Sequence, residues 1–435
     1  EQRELVRALS GNAIFVLDES HNAAGEQVMI KKVKGRTVKQ QTGAGFINEV
    51  ILGNPVLYLS ATFAKRPDNM PVYYRTDLMD AVDSPAQLVD AVAAGGVPLQ
   101  TAMSGMLAKS GQLIRRERSF EGISIPVVFD KANKAKHTKI SDQVTLGLRA
   151  VTYADKMFHS VFLPQYKEQA QGGGYEASGA GSKVSSTIDH SGFNAVVHNY
   201  VRQLLLSLKS EEAANKAIAT FKAGKKPVIA LENTMGSFLS QYTKDMGLEV
   251  GDVIDATYRD VMLRALERTR RLTIKDDKGN KKTVDIPVST LDPYTRGLYQ
   301  KAEKGINGLE LDDFPISPID LMRQKLTDAG VSVAELTGRD LMIDYSGDKP
   351  VLAKRPAIES DKRGTVDKFN SGKLDALIIN KSGSTGLSIH ASEKFTDQKP
   401  RHMIVAQTML DVNILMQMLG RINRTGQLEL PTYEL

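Results

Sequence analysis

Residues 13–21 read AIFVLDESH, an apolar run from Ala13 to Leu17 followed at once by Asp18, Glu19, Ser20 and His21. A short apolar run that breaks off into polar residues is the pattern of a buried strand in a parallel sheet. In open α/β sheets ligands bind outside the carboxyl ends of strands, so two adjacent acids at that place face a binding crevice. The first carboxylate can hold Mg²⁺ through water while the second polarises an attacking water, which is the division of labour in ATP hydrolysis. The same four residues also suit a helix N-terminus, where acids and Ser are favoured as caps.

Working outward, a Lys-rich stretch follows, then a helix expected through Phe46 to Leu52 and a second apolar run, PVLYL, from Pro55 to Leu59. Strand, helix and strand in this order read as parallel strands joined by a crossover. PVLYL ends in Ser60, Ala61 and Thr62 at the same edge of the expected sheet, where hydroxyls could relay the state of a nucleotide site; an ordinary turn cap is the alternative. From Ser84 to Lys226 the pattern turns mainly helical, interrupted by an expected strand at Ile123 to Phe129 and by GGGYEASGAGSK at Gly172 to Lys183, a loop by composition. A second α/β region begins at PVIAL (Pro227 to Leu231) and continues with SVAEL, DALII and HMIVA, all with the look of strands buried on both faces. Between them the spacing predicts a helix around Val261 to Arg271, then a β-hairpin turning at Asp276 to Asn280.

Two further stretches carry chemistry. After DALII stand Gly383, Ser384, Thr385 and Gly386, where glycines permit close backbone approach and hydroxyls and N–H groups can hold phosphate. After HMIVA comes QMLGRINRTGQ, residues 417–427, within a helical pattern that starts near Leu410. At helical spacing Gln417, Arg421 and Arg424 share one face, while Val412, Leu415, Met418, Leu419 and Ile422 cover the other. Two guanidiniums in fixed register suit the γ-phosphate of a nucleotide. A solvated basic face is the plainer reading, but it leaves Gln417 and Gly420 unexplained.

In this order the stretches resemble superfamily 2 helicases and translocases: DESH is similar to the Walker B motif, SAT to the coupling motif, GSTG to motif V and QMLGRINRTGQ to motif VI. Within that superfamily the chain resembles the Strawberry notch-type helicases and their bacterial and phage relatives, through SGQLIRRERSFEGISI (Ser110 to Ile125), PISPIDLMRQKLTDAGVSVAELTGR (Pro315 to Arg339) and the run from Phe369 to Gln427. The resemblance implies an α/β fold of two RecA-like P-loop NTPase lobes with ATP between them and a mainly helical insertion. Residues 1–90 would be part of the first lobe, 91–225 the helical region, and 226–435 the second lobe with an insertion at about 241–313. It implies catalytic roles for Asp18, which would hold Mg²⁺, Glu19 as base, and His21, with Gln417, Arg421 and Arg424 reaching the nucleotide. Ser60, Ala61 and Thr62 would couple hydrolysis to movement. Gly383 to Gly386, Gly420, Gln427, Arg115 and Arg116 would bind nucleotide or nucleic acid. ATP and Mg²⁺ are thus the implied cofactors, and DNA the implied partner.

A motor of this kind also needs a G-x-x-x-x-G-K-[ST] loop, and none occurs here. GAGSK at Gly179 to Lys183 lacks Gly-Lys-Ser/Thr, while AGKKP and SGKLD follow their Gly-Lys with Lys226 and Leu374. The expectation is a chain cut at both ends, its phosphate-binding loop lying in an N-terminal part of the same polypeptide. A non-catalytic scaffold that kept the motor fold, and a duplex translocase that does not unwind, stay open. A formal charge of +6 in 435 residues favours a polyanionic partner. With no Trp and 6% aromatics, contacts to the sugar-phosphate backbone are expected rather than base stacking. The absence of cysteine excludes disulfides and thiolate zinc sites and fits a reducing cytoplasm. No secretion signal or membrane-spanning run is evident. His190 and His198 have no third ligand near them, and the clusters Lys31 to Lys39, Arg115 to Arg118 and Arg268 to Arg271 suit phosphates or plain solvated faces equally.

Overall fold

A computed structural model describes residues 1–18, 20–23, 28–33, 36–60, 67–114, 120–164, 191–232, 234, 236–254, 256–275, 281–311, 316–381 and 386–435. The chain divides into two compact units, Glu1–Ser119 and Phe120–Leu435. No described helix is long and apolar enough to cross a membrane.

In the first unit α1 (Gln2–Leu9) precedes β1 (Phe15–Asp18), an antiparallel hairpin of β2 (Val28–Val33) and β3 (Arg36–Gln41), α2 (Gly43–Ile51) and β4 (Val56–Leu59). β1 and β4 pair in parallel, from Phe15 opposite Val56 to Asp18 opposite Leu59. This is the crossover that the sequence predicts, with the Lys-rich stretch folded as the hairpin. Burial alternates along both strands. Phe15, Leu17 and Val56 pack on Phe46, Val50 and Ile51 of α2. The opposite face leaves Val16 and Leu57 more than half exposed. Thr42 starts α2 by accepting from Gly45 N at 3.0 Å. A 3-10 segment, Pro67–Tyr73, leads to α3 (Pro85–Lys109), capped by Ser84 and kinked where Gly96 takes a φ of 55°. Met70, Val72, Tyr73, Leu88 and Val92 form a second small core.

In the second unit α4 (Lys134–Met157) and α5 (Ser191–Lys222) lead into β5 (Lys226–Leu231). Next come α6 (Gly236–Met246), α7 (Tyr258–Arg268), the hairpin of β6 (Arg271–Lys275) and β7 (Lys281–Asp285), and α8 (Pro293–Asn307). Then follow α9 (Pro318–Asp328), β8 (Val333–Leu336), the hairpin β9 (Leu341–Asp344) and β10 (Val351–Lys354), α10 (Lys362–Asn370), β11 (Ala376–Asn380), β12 (Arg401–Val405), α11 (Val412–Leu419) and β13 (Thr432–Glu434). β13, β12, β5, β11 and β8 lie side by side in that order, all parallel.

PVIAL, HMIVA and, after Asp375, DALII are buried throughout as expected, because helices cover both faces. Val228, Ala230, Leu377, Ile379, Met403 and Val405 face Phe369 of α10 and Met418 and Leu419 of α11. The alternate residues Ile229, Leu231, Ile378 and Ile404 face Ala213 and Ala217 of α5 and Met322 and Leu326 of α9. A separate helical core joins Val144 and Val151 of α4, Met262 and Leu266 of α7, and Tyr299 and Ile306 of α8. The helix expected near Val261 is α7, and the expected hairpin strands are β6 and β7. Their turn, 276–280, lies outside the described residues, as does the Gly/Ser stretch 172–183.

The strand expected at Ile123 to Phe129 does not form. Pro126 has no N–H, and the segment meets the chain at Leu435 through two hydrogen bonds: Leu435 N donates to Pro126 O at 3.0 Å and Val128 N to Leu435 O at 2.8 Å. Phe120, Ile123 and Ile125 instead pack onto one core of the sheet.

Candidate functional site

In the first unit Asp18 is an exposed residue at the carboxyl end of β1 and lines an open depression of about 480 Å³ with Arg3, Gly43, Ala44 and Phe46. The backbone then turns through a short 3-10 segment, Ser20–Ala23. Glu19, the side chain of His21, and Ala61 and Thr62 lie outside the described residues. Ser20 is fully buried, and its Oγ lies 3.1 Å from the phenol oxygen of Tyr73. A tyrosine from the 3-10 segment therefore anchors the turn after β1. Ser60 stands exposed directly after β4. Burial pushes the Tyr73 phenol up, and the nearby Ser20 and Ser60 hydroxyls oppose that without cancelling it, so the group stays protonated near neutrality. The ring of Tyr58, on β4, meets Tyr73 edge-on at 5.2 Å. Tyr73 escapes a sequence reading because PDNMPVY has neither helical nor strand periodicity.

In the second unit the QMLGRINRTGQ stretch departs from the expected single helix. α11 stops at Leu419, with Gly420 as its C-cap, and Arg421 and Arg424 stand in the turn beyond. A Cβ on Gly420 would lie 3.2 Å from Met416 O, tight against the last turn. The carbonyl of Leu419 accepts from the Tyr433 hydroxyl at 2.8 Å and from Ile422 N at 3.4 Å, so the end tightens into i→i+3 bonds. Of the expected apolar face, Met418, Leu419 and Ile422 are buried and Leu415 is partly so, but Val412 is exposed in the first turn.

The two arginines nevertheless converge: Arg421 and Arg424 each donate to the Leu387 carbonyl at 3.3 Å. Leu387 follows Gly386, whose φ of 77° is left-handed and suits glycine. Ile389 N donates back to Arg421 O at 3.2 Å, which stitches the two stretches together. Gln427 Oε1 accepts from Arg424 N at 3.0 Å, so that side chain closes the turn. Gln417 lies half-buried on the last turn of α11. Gly383, Ser384, Thr385, Arg115 and Arg116 lie outside the described residues.

A polar cluster that sequence reasoning missed sits just beyond the carboxyl ends of β5 and β12. Arg202 of α5 pairs with Glu232 at 2.8 Å, and Gln407 accepts from Glu232 N and donates to Arg202 O, both at 3.1 Å. Among the described residues no group of three or more His, Asp or Glu is placed to hold a metal ion.

With this geometry in place, comparison with known families is informative. Residues 318–435 match the family model Helicase_C_4, the C-terminal domain on Strawberry notch homologue. That part of the chain is thus similar to the C-terminal domain of Strawberry notch-type helicases. The match runs from α9 to β13 and includes Gly386, Arg421, Arg424 and Gln427, while β5 and the whole first unit lie outside it. A Strawberry notch-type domain marks a helicase-like protein, with nucleotide use and nucleic-acid binding as the general expectation. A search of curated proteins finds no match to the chain.

Proposed function

We propose that the chain acts in an ATP-driven DNA helicase or translocase of superfamily 2 in the cytoplasm, with residues 1–90 in one RecA-like lobe, 226–435 in a second and a mainly helical region at 91–225. The observation that carries this reading is the convergence of Arg421 and Arg424 on Leu387 O, one residue past Gly386, inside the Strawberry notch-type domain. It brings together two stretches with the marks of phosphate recognition. The first unit supports the reading in two ways. Asp18 sits at the carboxyl end of a parallel strand. The bare apolar face of β1 and β4 is also unusual, since parallel sheets are normally covered on both sides.

Each residue then has a chemical task. Asp18 is exposed and beside an open depression, which fits a carboxylate that holds Mg²⁺ through water, an ion needing only one or two protein carboxylates. Such an ion neutralises phosphate charge. Glu19 accepts a proton from the attacking water, and Arg421 and Arg424 stabilise charge on the transferring phosphoryl group, a contribution of roughly 10³ to 10⁵ in rate. Ser60, Ala61 and Thr62 pass the change of state onward. Gly386 and the residues before it hold the nucleic-acid backbone.

The test is nucleic-acid-stimulated ATPase of the full-length protein, for the wild type and for Arg424→Ala. Stimulated turnover should collapse in the variant. Stimulation that survives the change would remove Arg424 from the mechanism, and a wild type with no ATPase would favour a scaffold.

A further inference from the structure

β13 is three residues long, and of these only Tyr433 is buried. Pairing with β12 fixes where that residue stands. Tyr433 lies opposite Met403, and beside it Thr432 Oγ1 is 2.7 Å from Nδ1 of His402. The ring, 2% exposed, packs in the same core as Met418, Leu419 and Ile422. Its hydroxyl reaches the last carbonyl of α11, that of Leu419, at 2.8 Å. The strand thus delivers one phenol to the end of one helix.

That carbonyl decides whether α11 goes on. A continuing α-helix would bring the Asn423 N–H to Leu419 O, four residues back. A carbonyl oxygen has two lone pairs, and here the Tyr433 hydroxyl and Ile422 N, at 3.4 Å, take both. Gly420 N still bonds Met416 O at 2.9 Å in the helical manner, whereas Arg421 N bonds Met418 O at 3.0 Å, three residues back. The helix therefore gives way to a tight turn at Gly420, next to the residue that the phenol holds. From that turn Arg421 and Arg424 reach Leu387 O.

We infer that Tyr433 is a positioning residue for the arginine pair: by holding Leu419 O it ends α11 where Arg421 and Arg424 must leave the helix to meet Leu387. The inference rests on the motor reading above and deepens it, naming a side chain outside the QMLGRINRTGQ stretch that sets where the two guanidiniums stand. Tyr433 touches no reacting atom in this scheme and acts only through the turn.

The test is Tyr433→Phe in the full-length protein, with two readings. Phenylalanine keeps the ring in the core and removes only the hydroxyl. Amide hydrogen exchange at Arg421 and Ile422 should speed up roughly three- to ten-fold, the change in opening equilibrium set by one net hydrogen bond. In DNA-stimulated ATPase, kcat should fall by a similar factor with KM for ATP little changed, the mark of a contact made in the transition state. Combined with Arg424→Ala, the loss should be smaller than the product of the two separate losses, since one residue acts through the other. Unchanged exchange at the turn would overturn the inference, as would faster exchange with kcat intact, or losses that simply multiply. If Tyr433→Phe folds poorly, Tyr433→Met, which also fills the core without a hydroxyl, gives the same readings. A wild type with no DNA-stimulated ATPase would refute the motor reading itself, whereas normal wild-type stimulation with any of those results refutes the role of Tyr433 alone, so the two failures are distinct.

Discussion

Arg339→Met should be among the most destabilising single changes in the chain. The Arg339 side chain is 1% exposed and lies between two carboxylates, Asp320 and Glu335, that are 0% and 1% exposed. It donates from Nη1 to Asp320 at 2.9 Å, from Nε and Nη2 to Glu335 at 2.8 and 2.6 Å, and from Nη2 to the second Asp320 oxygen. Methionine fills much of the volume but supplies no proton donor or charge. Removing one member of a buried ion pair typically costs about 3–5 kcal/mol, because the partner is left charged and desolvated. Two partners are stranded here, yet neither is wholly abandoned. Ile343 N at 2.7 Å and the Ser317 hydroxyl at 2.5 Å still serve Asp320. Thr337 still bonds Glu335, with Arg355 at 3.8 Å. The expected loss is therefore about 4 kcal/mol near neutrality rather than twice that.

The pH dependence makes this prediction sharper. Burial pushes the Glu335 carboxyl up, but the Arg339 hydrogen bonds and the charges of Arg339 and Arg355 outweigh it and hold the group below the usual range. A carboxylate so depressed adds stability above its unfolded value, and that part is lost as pH falls through the folded value. Without Arg339 the burial effect faces less opposition and the carboxyl should titrate higher. The gap between variant and wild type should then narrow between pH 7 and pH 5. Urea denaturation followed by far-ultraviolet circular dichroism at both pH values measures it. Adding Asp320→Asn and Glu335→Gln, which removes the stranded charges, should recover about half of the loss. A deficit under about 1 kcal/mol, the worth of an exposed pair, would refute the account.

Glu19→Gln in the complete motor should lose roughly 10² to 10⁴ in ATP turnover while nucleotide binding, followed by fluorescence of a labelled nucleotide, is spared; unchanged turnover would remove Glu19 as the base. Lys226, buried at the start of β5 with Asp397 at 3.2 Å, is pushed down to about 8, chiefly by burial. The unfolded chain then binds the extra proton between about pH 8 and the ordinary value of 10.5, so stability should rise with pH across that window by up to about 1.4 kcal/mol per unit. Lys226→Met should flatten that rise in chemical denaturation, and an unchanged slope would count against it. Gly420→Ala gains up to about 1 kcal/mol of helix propensity but places a Cβ against Met416 O, so the melting temperature should move little. Stimulated ATPase should fall in that variant, because an extended helix carries Arg421 and Arg424 away from Leu387; full activity would show that the turn is dispensable.

The sheet was legible because each of its long strands is an uninterrupted apolar run, and such a run is what burial on two faces selects. β13 was not, since Thr432–Glu434 has a single buried residue, Tyr433, and owes its conformation to pairing with β12. The opposite error at Ile123 to Phe129 has a related cause: apolar, β-prone residues cannot make a ladder when Pro126 lacks the donor. The ion network was invisible for another reason. Asp320, Glu335, Arg339, Arg355 and Glu359 read as ordinary surface charges along the chain, and only the packing of α9, β8 and the segment after β10 shows that they bury one another.

Legibility of the candidate site divides along the same physical line. Asp18 could be found because a strand's carboxyl end is a consequence of sequence order, and Ser60 because it ends the next paired strand. Arg421 and Arg424 were singled out on a helical pattern that the structure only partly keeps. Helical periodicity put them on one face of a continuous helix, whereas the chain turns at Gly420 and the arginines meet by closing back onto Leu387. Spacings of three and four residues bring side chains together in a helix and in a compact turn alike, so the pattern survives the change of conformation. The glycine that a plain basic face leaves unexplained is the residue that makes the turn. Tyr73 obeys no such rule. Its position follows from Met70, Val72 and α3, and a residue placed by the core of its unit rather than by its neighbours in sequence leaves no local signature.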